Sequence, residues 1–81
     1  MSPSYRSYIT DETKVFVVRE EYVGERFPRY YISRLNEGKR YLYASMGQEK
    51  CAALFLCKLL NENIDRLVAF ELEYYKEDED I

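Results

Sequence analysis

The chain has 81 residues, of which 47% are apolar and 33% are charged, and its formal net charge is −3. This composition predicts one small folded domain and excludes a disordered chain. The sequence contains no histidine, so the commonest general base and the commonest metal ligand are both missing.

The N-terminal segment, residues 1–13, is rich in serine and contains Pro3. We expect a partly ordered arm here, followed by a single domain over residues 14–76 and an acidic tail over residues 77–81. The first residues lack the apolar run of a signal peptide, and no segment approaches the about 18 apolar residues of a membrane span. We therefore expect a cytoplasmic protein.

Three strands are predicted in the first half of the chain. They cover residues 14–22, 29–35 and 40–45, where β-branched and aromatic residues are frequent. In the first of them, Phe16, Val18 and Tyr22 form the expected inward set. Residues 36–39 contain Gly38 and predict a tight hairpin turn. Short connections of this kind indicate an antiparallel meander with one face covered.

A helix over residues 48–62 is the natural cover for that face, because the segment is built from strong helix formers. Helical spacing places one broad apolar side toward the sheet, formed by Ala52, Phe55, Leu56, Leu59 and Leu60. A second, mixed side carries Cys51, Leu54 and Cys57, which indicates that something also covers it. The candidates are the C-terminal segment, a second copy of the chain or a target. We interpret both cysteines as apolar fillers and expect neither a disulfide nor a metal site.

The segment over residues 64–76 fits two structures. With a period of two it is a fourth strand, and with a period of 3.6 it is a second helix that begins after Asn63. We favour the helix, since it would cover the Leu54 side of the preceding helix. The predicted fold is therefore α+β, a three-stranded antiparallel meander covered by one helix and followed by a second helix or a fourth strand.

From residue 30 onward the chain combines a YYI strand, a hairpin turn, a YLYAS strand, the helical run CKLLNEN and the run ELEYYKED. In these features the chain resembles small accessory proteins of bacteriophages and mobile elements, and its architecture is similar to that of some small anti-CRISPR proteins. The resemblance implies a phage protein, present in the host cytoplasm, that acts on a host or defence protein. It implies no particular functional residue.

Charge is distributed unevenly and suggests a first candidate surface. Residues 46–81 carry four Lys or Arg against nine Asp or Glu, whereas residues 1–45 carry eight against six. The acidic half predicts a surface that binds a basic groove on a protein partner, as a local mimic of nucleic acid with tyrosines as anchors. Its residues are Glu71, Glu73, Tyr74, Tyr75, Glu77 and Asp78. The alternative is an acidic segment that only improves solubility.

The strands suggest a second candidate surface, for single-stranded nucleic acid, because basic and aromatic residues alternate along them. Its residues are Arg29, Tyr31, Arg34, Lys39, Arg40 and Tyr43. The alternative is that the tyrosines are core and the arginines ordinary strand residues. A third hypothesis is a structural homodimer through Cys51, Leu54 and Cys57. No catalytic or cofactor motif is present, so we expect a non-enzymatic inhibitor or modulator of a protein partner, without cofactor or metal.

Overall fold

A four-stranded antiparallel sheet and two consecutive helices make up the part of the chain described by the computed structural model. That part comprises residues 4–23 and 27–79, with side chains for residues 6–22 and 27–76. The elements are β1 (Ser4–Tyr8), β2 (Phe16–Val23), β3 (Arg29–Asn36), β4 (Lys39–Gly47), α1 (Lys50–Glu62) and α2 (Ile64–Glu79). The predicted α+β class is confirmed, and the ambiguous C-terminal segment is a helix.

The sheet has the order β1-β2-β3-β4, so each strand pairs with its neighbour in sequence. β1 extends the predicted three-stranded meander by one edge strand, pairing from Ser4 opposite Val23 to Tyr8 opposite Arg19. It lies within the expected N-terminal arm, where no period of two is visible. Pairing with β2, and not local propensity, therefore fixes this strand.

The β3–β4 hairpin is closed by the turn predicted from Gly38. Both turn residues have positive φ angles, 52° at Glu37 and 78° at Gly38. A two-residue turn of this kind matches the twist of the flanking strands. Further along the hairpin, Ile32 pairs with Ala44 and Ser33 with Leu42, which leaves Tyr43 as an extra residue in a β-bulge.

The hydrophobic core lies between α1 and one side of the sheet, called here the helix face. Phe16 and Val18 of β2, Tyr30 and Ile32 of β3, and Ala53 and Cys57 of α1 form its buried centre. The inward orientation expected for Phe16 and Val18 is thus confirmed. The opposite side of the sheet is called the open face, because no described helix packs on it.

The orientation predicted for α1 is only partly right: Leu56 and Leu60 pack against the core as predicted, but they do not lie at its centre. Ala53 and Cys57 are buried against the sheet, while Phe55 is 65% exposed and Leu59 is 39% exposed. Small side chains at positions 53 and 57 let the helix backbone approach the strands closely, which the Phe55 ring would prevent. Leu54 also packs against the core. Of the three residues predicted to contact a second copy, only Cys51 is therefore exposed.

Helix α2 begins directly after α1, at a bend centred on Asn63. The Asn63 N–H donates to the Leu60 carbonyl at 3.2 Å, and the Asn63 carbonyl accepts from the Leu67 N–H at 2.9 Å. From this bend α2 extends away from the core, and the molecule measures 52 × 27 × 24 Å. Its radius of gyration is 15.0 Å, against about 12 Å for a compact chain of this length.

Candidate interaction surfaces

An ion pair with two hydrogen bonds joins α2 to the sheet. The two terminal nitrogens of Arg34 donate to the two carboxylate oxygens of Glu71 at 2.7 and 2.9 Å. The Arg34 guanidinium also lies over the Phe16 ring, 5.5 Å from its centroid, and 5.9 Å from that of Tyr43. These contacts place Arg34 on the helix face and link the second turn of α2 to it through the two side chains.

The two partners of this ion pair shift each other's pKa. The hydrogen bonds from Arg34 lower the pKa of the Glu71 carboxyl, and the bonds to Glu71 raise the pKa of the Arg34 guanidinium. Both side chains are about a quarter exposed, 24% for Arg34 and 28% for Glu71. From the sequence they were predicted on two different surfaces, and the structure brings them together. Their visible role is to position α2.

Helix α2 carries a contiguous group of exposed aromatic rings. Phe70 and Tyr74, one helical turn apart, stack with ring centroids 6.5 Å apart, and the Tyr74 and Tyr75 rings meet edge to face at 5.5 Å. Each of the three side chains is more than half exposed, as is Leu72. We call the exposed residues Phe70, Leu72, Glu73, Tyr74 and Tyr75 the α2 surface.

The α2 surface contains three of the six residues predicted for the acidic partner-binding face, Glu73, Tyr74 and Tyr75. Glu71 lies on the same helix but is bound by Arg34. Glu77 and Asp78 belong to the last turns of α2, and their side chains lie outside the described residues. Neither Phe70 nor Leu72 was predicted as a binding residue, although their large apolar side chains within an acidic segment were a visible signal in the sequence.

The residues predicted for the nucleic-acid surface are divided between the two sides of the sheet. Arg29 and Tyr31 alternate with the core residues Tyr30 and Ile32, so they lie on the open face. Arg34 and Tyr43 lie on the helix face instead. Lys39 is exposed beside the hairpin turn.

Arg40 is held by backbone carbonyls. Its guanidinium donates to the carbonyl oxygens of Glu12, Lys14 and Val15 at 2.6 to 2.7 Å. These bonds tie the start of β4 to the loop that precedes β2. Arg40 therefore stabilises the fold, and it is not placed with Arg29 and Tyr31 in one binding row.

Asn61 is a structural residue, and no contact with the sheet was predicted for it from the sequence. Its side-chain oxygen accepts from the Phe16 N–H at 2.9 Å, and its side-chain nitrogen donates to the Phe16 carbonyl at 2.9 Å. Beyond the end of β1, other groups bind the edge of β2 that faced β1. Ile9 and Thr10 bind the backbone of Val18 there, and the Asn61 amide binds that of Phe16. A polar residue facing the sheet from the last turn of α1 was the available signal.

A cleft of about 390 Å³ opens beside this contact. Its lining includes Asp11, Lys14, Cys57, Lys58 and Asn61. Burial raises the pKa of the Cys57 thiol, and its Sγ donates to the Phe16 carbonyl at 3.2 Å, so Cys57 is a packing residue here and not an activated nucleophile. Among the described residues, no cluster of three or more Cys, Asp or Glu could hold a metal ion.

Comparison with protein-family models, with curated proteins and with solved structures finds no match to this chain. In the described part of the chain, neither helix has the length and apolar character needed to cross a membrane.

Proposed function

We propose that this protein is a non-enzymatic modulator that binds a protein partner through the α2 surface. One observation carries the proposal: a helix fixed to the sheet by Arg34 and Glu71 exposes most of its large apolar side chains. Contiguous exposed aromatic groups are uncommon on small monomers and mark interaction surfaces. Tyrosine and phenylalanine also supply large contact areas at low entropic cost.

The shape of this surface fits binding of a helix in a groove. Phe70 and Tyr74 are spaced one turn apart, which is the spacing of anchor residues in that mode of recognition. The ion pair to Arg34 orders the helix before binding, and this reduces the entropy lost on association.

The charge around these anchors favours a groove lined by lysine and arginine. Glu73 lies within the surface, and the sequence continues with Glu77, Asp78, Glu79 and Asp80. Carboxylates at this density attract a basic partner and raise the association rate. A protein whose groove normally holds nucleic acid has the required chemistry. The chain would then act as a local nucleic-acid mimic and block that groove, the inhibitory role implied by the resemblance to bacteriophage accessory proteins.

Affinity capture from a bacterial lysate, after nuclease treatment, tests this proposal with two matched double variants. Phe70→Ser/Tyr74→Ser removes the anchors, whereas Phe55→Ser/Tyr41→Ser removes an equally exposed pair outside α2. We expect one stoichiometric protein to be retained by the wild type and by the control variant and lost from the α2 variant. Equal retention by both variants contradicts the proposal. So does capture of no protein other than the tagged chain.

A further inference from the structure

The open face of the sheet carries two rows of side chains that run across the strands. Strand register places Arg6, Glu21 and Arg29 opposite one another in the first row. The second row consists of Tyr8, Arg19 and Tyr31. Side chains of each row point to the same side because directly paired residues share a face.

The first row is rich in positive charge that is only partly neutralised. Glu21 forms ion pairs with both Arg6 and Arg19, whose guanidinium nitrogens lie 3.7 and 3.4 Å from its carboxylate oxygens. Arg29 is exposed and forms no ion pair with any described residue. Three arginines therefore face one glutamate over the two rows, although the whole chain has a net charge of −3.

The second row alternates aromatic and cationic groups. The Arg19 guanidinium lies over the Tyr31 ring at 5.0 Å from its centroid. Tyr8 flanks Arg19 on the other side and, like Tyr31, is partly exposed. The Arg19 Nε atom is buried and has no hydrogen-bond partner among the residues that the structure describes.

The acidic helix α2 is attached to the opposite side of the sheet through Glu71. Glu71 binds Arg34, whose guanidinium lies over the core residue Phe16 on the helix face. The sheet itself therefore separates this carboxylate from the two rows, and charges more than about 8 Å apart are largely screened at physiological salt. The negative net charge of the chain does not prevent an anion from approaching the open face.

We propose that the open face binds single-stranded nucleic acid, with Arg6 and Arg29 contacting phosphates and with bases stacking on the row of Tyr8, Arg19 and Tyr31. Aromatic rings bordered by cations are the common features of sheet surfaces that bind single strands. A duplex is disfavoured because its bases are already stacked on one another. An acidic polypeptide would use the arginines but has no base to place on the tyrosines.

Fluorescence anisotropy with the full chain and labelled oligonucleotides of about ten nucleotides tests this proposal. RNA and DNA strands of the same sequence are titrated separately to determine which of the two nucleic acids binds more tightly. We expect binding at low salt. The logarithm of the association constant should fall linearly with the logarithm of the salt concentration, with a slope of about −0.7 for each phosphate contacted.

Three variants assign the binding to the open face. Arg6→Gln/Arg29→Gln should reduce affinity at least about tenfold and make the salt slope shallower by about 1.4. Tyr31→Ser should reduce affinity about tenfold or more, whereas Tyr31→Phe, which keeps the ring, should retain it. Lys50→Gln/Lys58→Gln removes the same charge from the exposed side of α1 and should bind like the wild type.

Several results would overturn the proposal. These are the absence of binding to either strand at low salt, an equal loss of affinity in the Lys50/Lys58 control, and equally tight binding of duplex DNA. Competition by polyglutamate as strong as that by unlabelled oligonucleotide would show that the face recognises negative charge alone. Circular dichroism of each variant, compared with that of the wild type, separates loss of binding from loss of the fold.

Discussion

Arg34 and Glu71, 37 positions apart in sequence, form a two-point ion pair that fixes α2 to the sheet. This contact connects the basic first half of the chain with its acidic second half. It also separates the roles of the carboxylates on α2: Glu71 positions the helix, and Glu73 remains exposed beside the aromatic anchors. The ion pair is thus what makes α2 an ordered binding surface.

Replacing Arg34 by alanine should loosen α2 without unfolding the sheet. Partly exposed ion pairs contribute about 1 kcal/mol or less to the free energy of unfolding, so the protein should remain folded. Amide hydrogen exchange in residues 67–76 should become faster, while that of β2 and β3 stays slow. Arg34→Lys keeps the charge but not the fork of two donors, and it should give an intermediate effect. Unchanged exchange in α2 would show that the ion pair does not hold the helix.

The same pair predicts a dependence of stability on pH. The folded-state pKa of Glu71 is below its ordinary value of 4.5, so its contribution is complete above that value. The contribution is lost as pH falls through the lower, folded-state pKa. The difference in unfolding free energy between wild type and Glu71→Gln should therefore be largest at neutral pH and shrink in acid. Glu73→Gln, on the exposed side of α2, is the control, and its difference should stay small across this range.

Removing the Asn61 side chain should destabilise the fold strongly. Asn61→Leu has a similar size but leaves the N–H of Phe16 without its partner in the core region, at a cost of about 2 kcal/mol in unfolding free energy. Asn63→Ala is the matched control, since that side chain makes one exposed bond to the Leu59 carbonyl. Urea unfolding should separate the two variants clearly. Equal midpoints would contradict the role assigned to Asn61.

The two thiols should differ in reactivity, which tests the orientation of α1. Cys51 is exposed, whereas Cys57 is buried and its pKa is raised by that burial. A thiol reagent should label one cysteine quickly in the folded protein and the second only after unfolding. Cys51→Ser should abolish the fast phase. Fast labelling that persists in Cys51→Ser would show that Cys57 is exposed and would contradict its position against the sheet.

The β3–β4 turn can be improved at one position. Glu37 has a positive φ angle of 52°, which asparagine tolerates better than glutamate. Glu37→Asn should raise the free energy of unfolding by about 0.5 kcal/mol. Glu37→Val should lower it, since a β-branched residue is strained in that conformation. Thermal unfolding of the two variants checks both directions, and a lower midpoint for Glu37→Asn would contradict the turn geometry.

Much of the fold follows from local sequence patterns. Alternation along β2, the glycine at position 38 and the helix formers after Gly47 predict the meander and its covering helix. The side of α1 that faces the sheet followed only in part, because the helix is apolar on both sides. Leu56 and Leu60 pack against the core as predicted, but its buried centre differs. Close packing selected the small Ala53 and Cys57 over the large Phe55, and helical spacing alone does not contain that information.

The candidate sites were predicted less completely than the fold. Tyr74, Tyr75 and Glu73 were recognised as a group because they are neighbours in sequence. The pairing of Arg34 with Glu71 could not be recognised, since it depends on where α2 crosses the sheet. The rows on the open face also depend on strand register, which brings Arg6 and Tyr8 of an unrecognised strand beside Arg19, Arg29 and Tyr31.

The most direct test of the proposed function is site-specific photocrosslinking from α2. A photoreactive phenylalanine analogue replaces Phe70 in one preparation and the similarly exposed Phe55 of α1 in another. The proposal predicts that position 70 gives a covalent adduct with one protein of the lysate and that position 55 does not. An adduct with a second copy of the chain, or an adduct from position 55 alone, would contradict it.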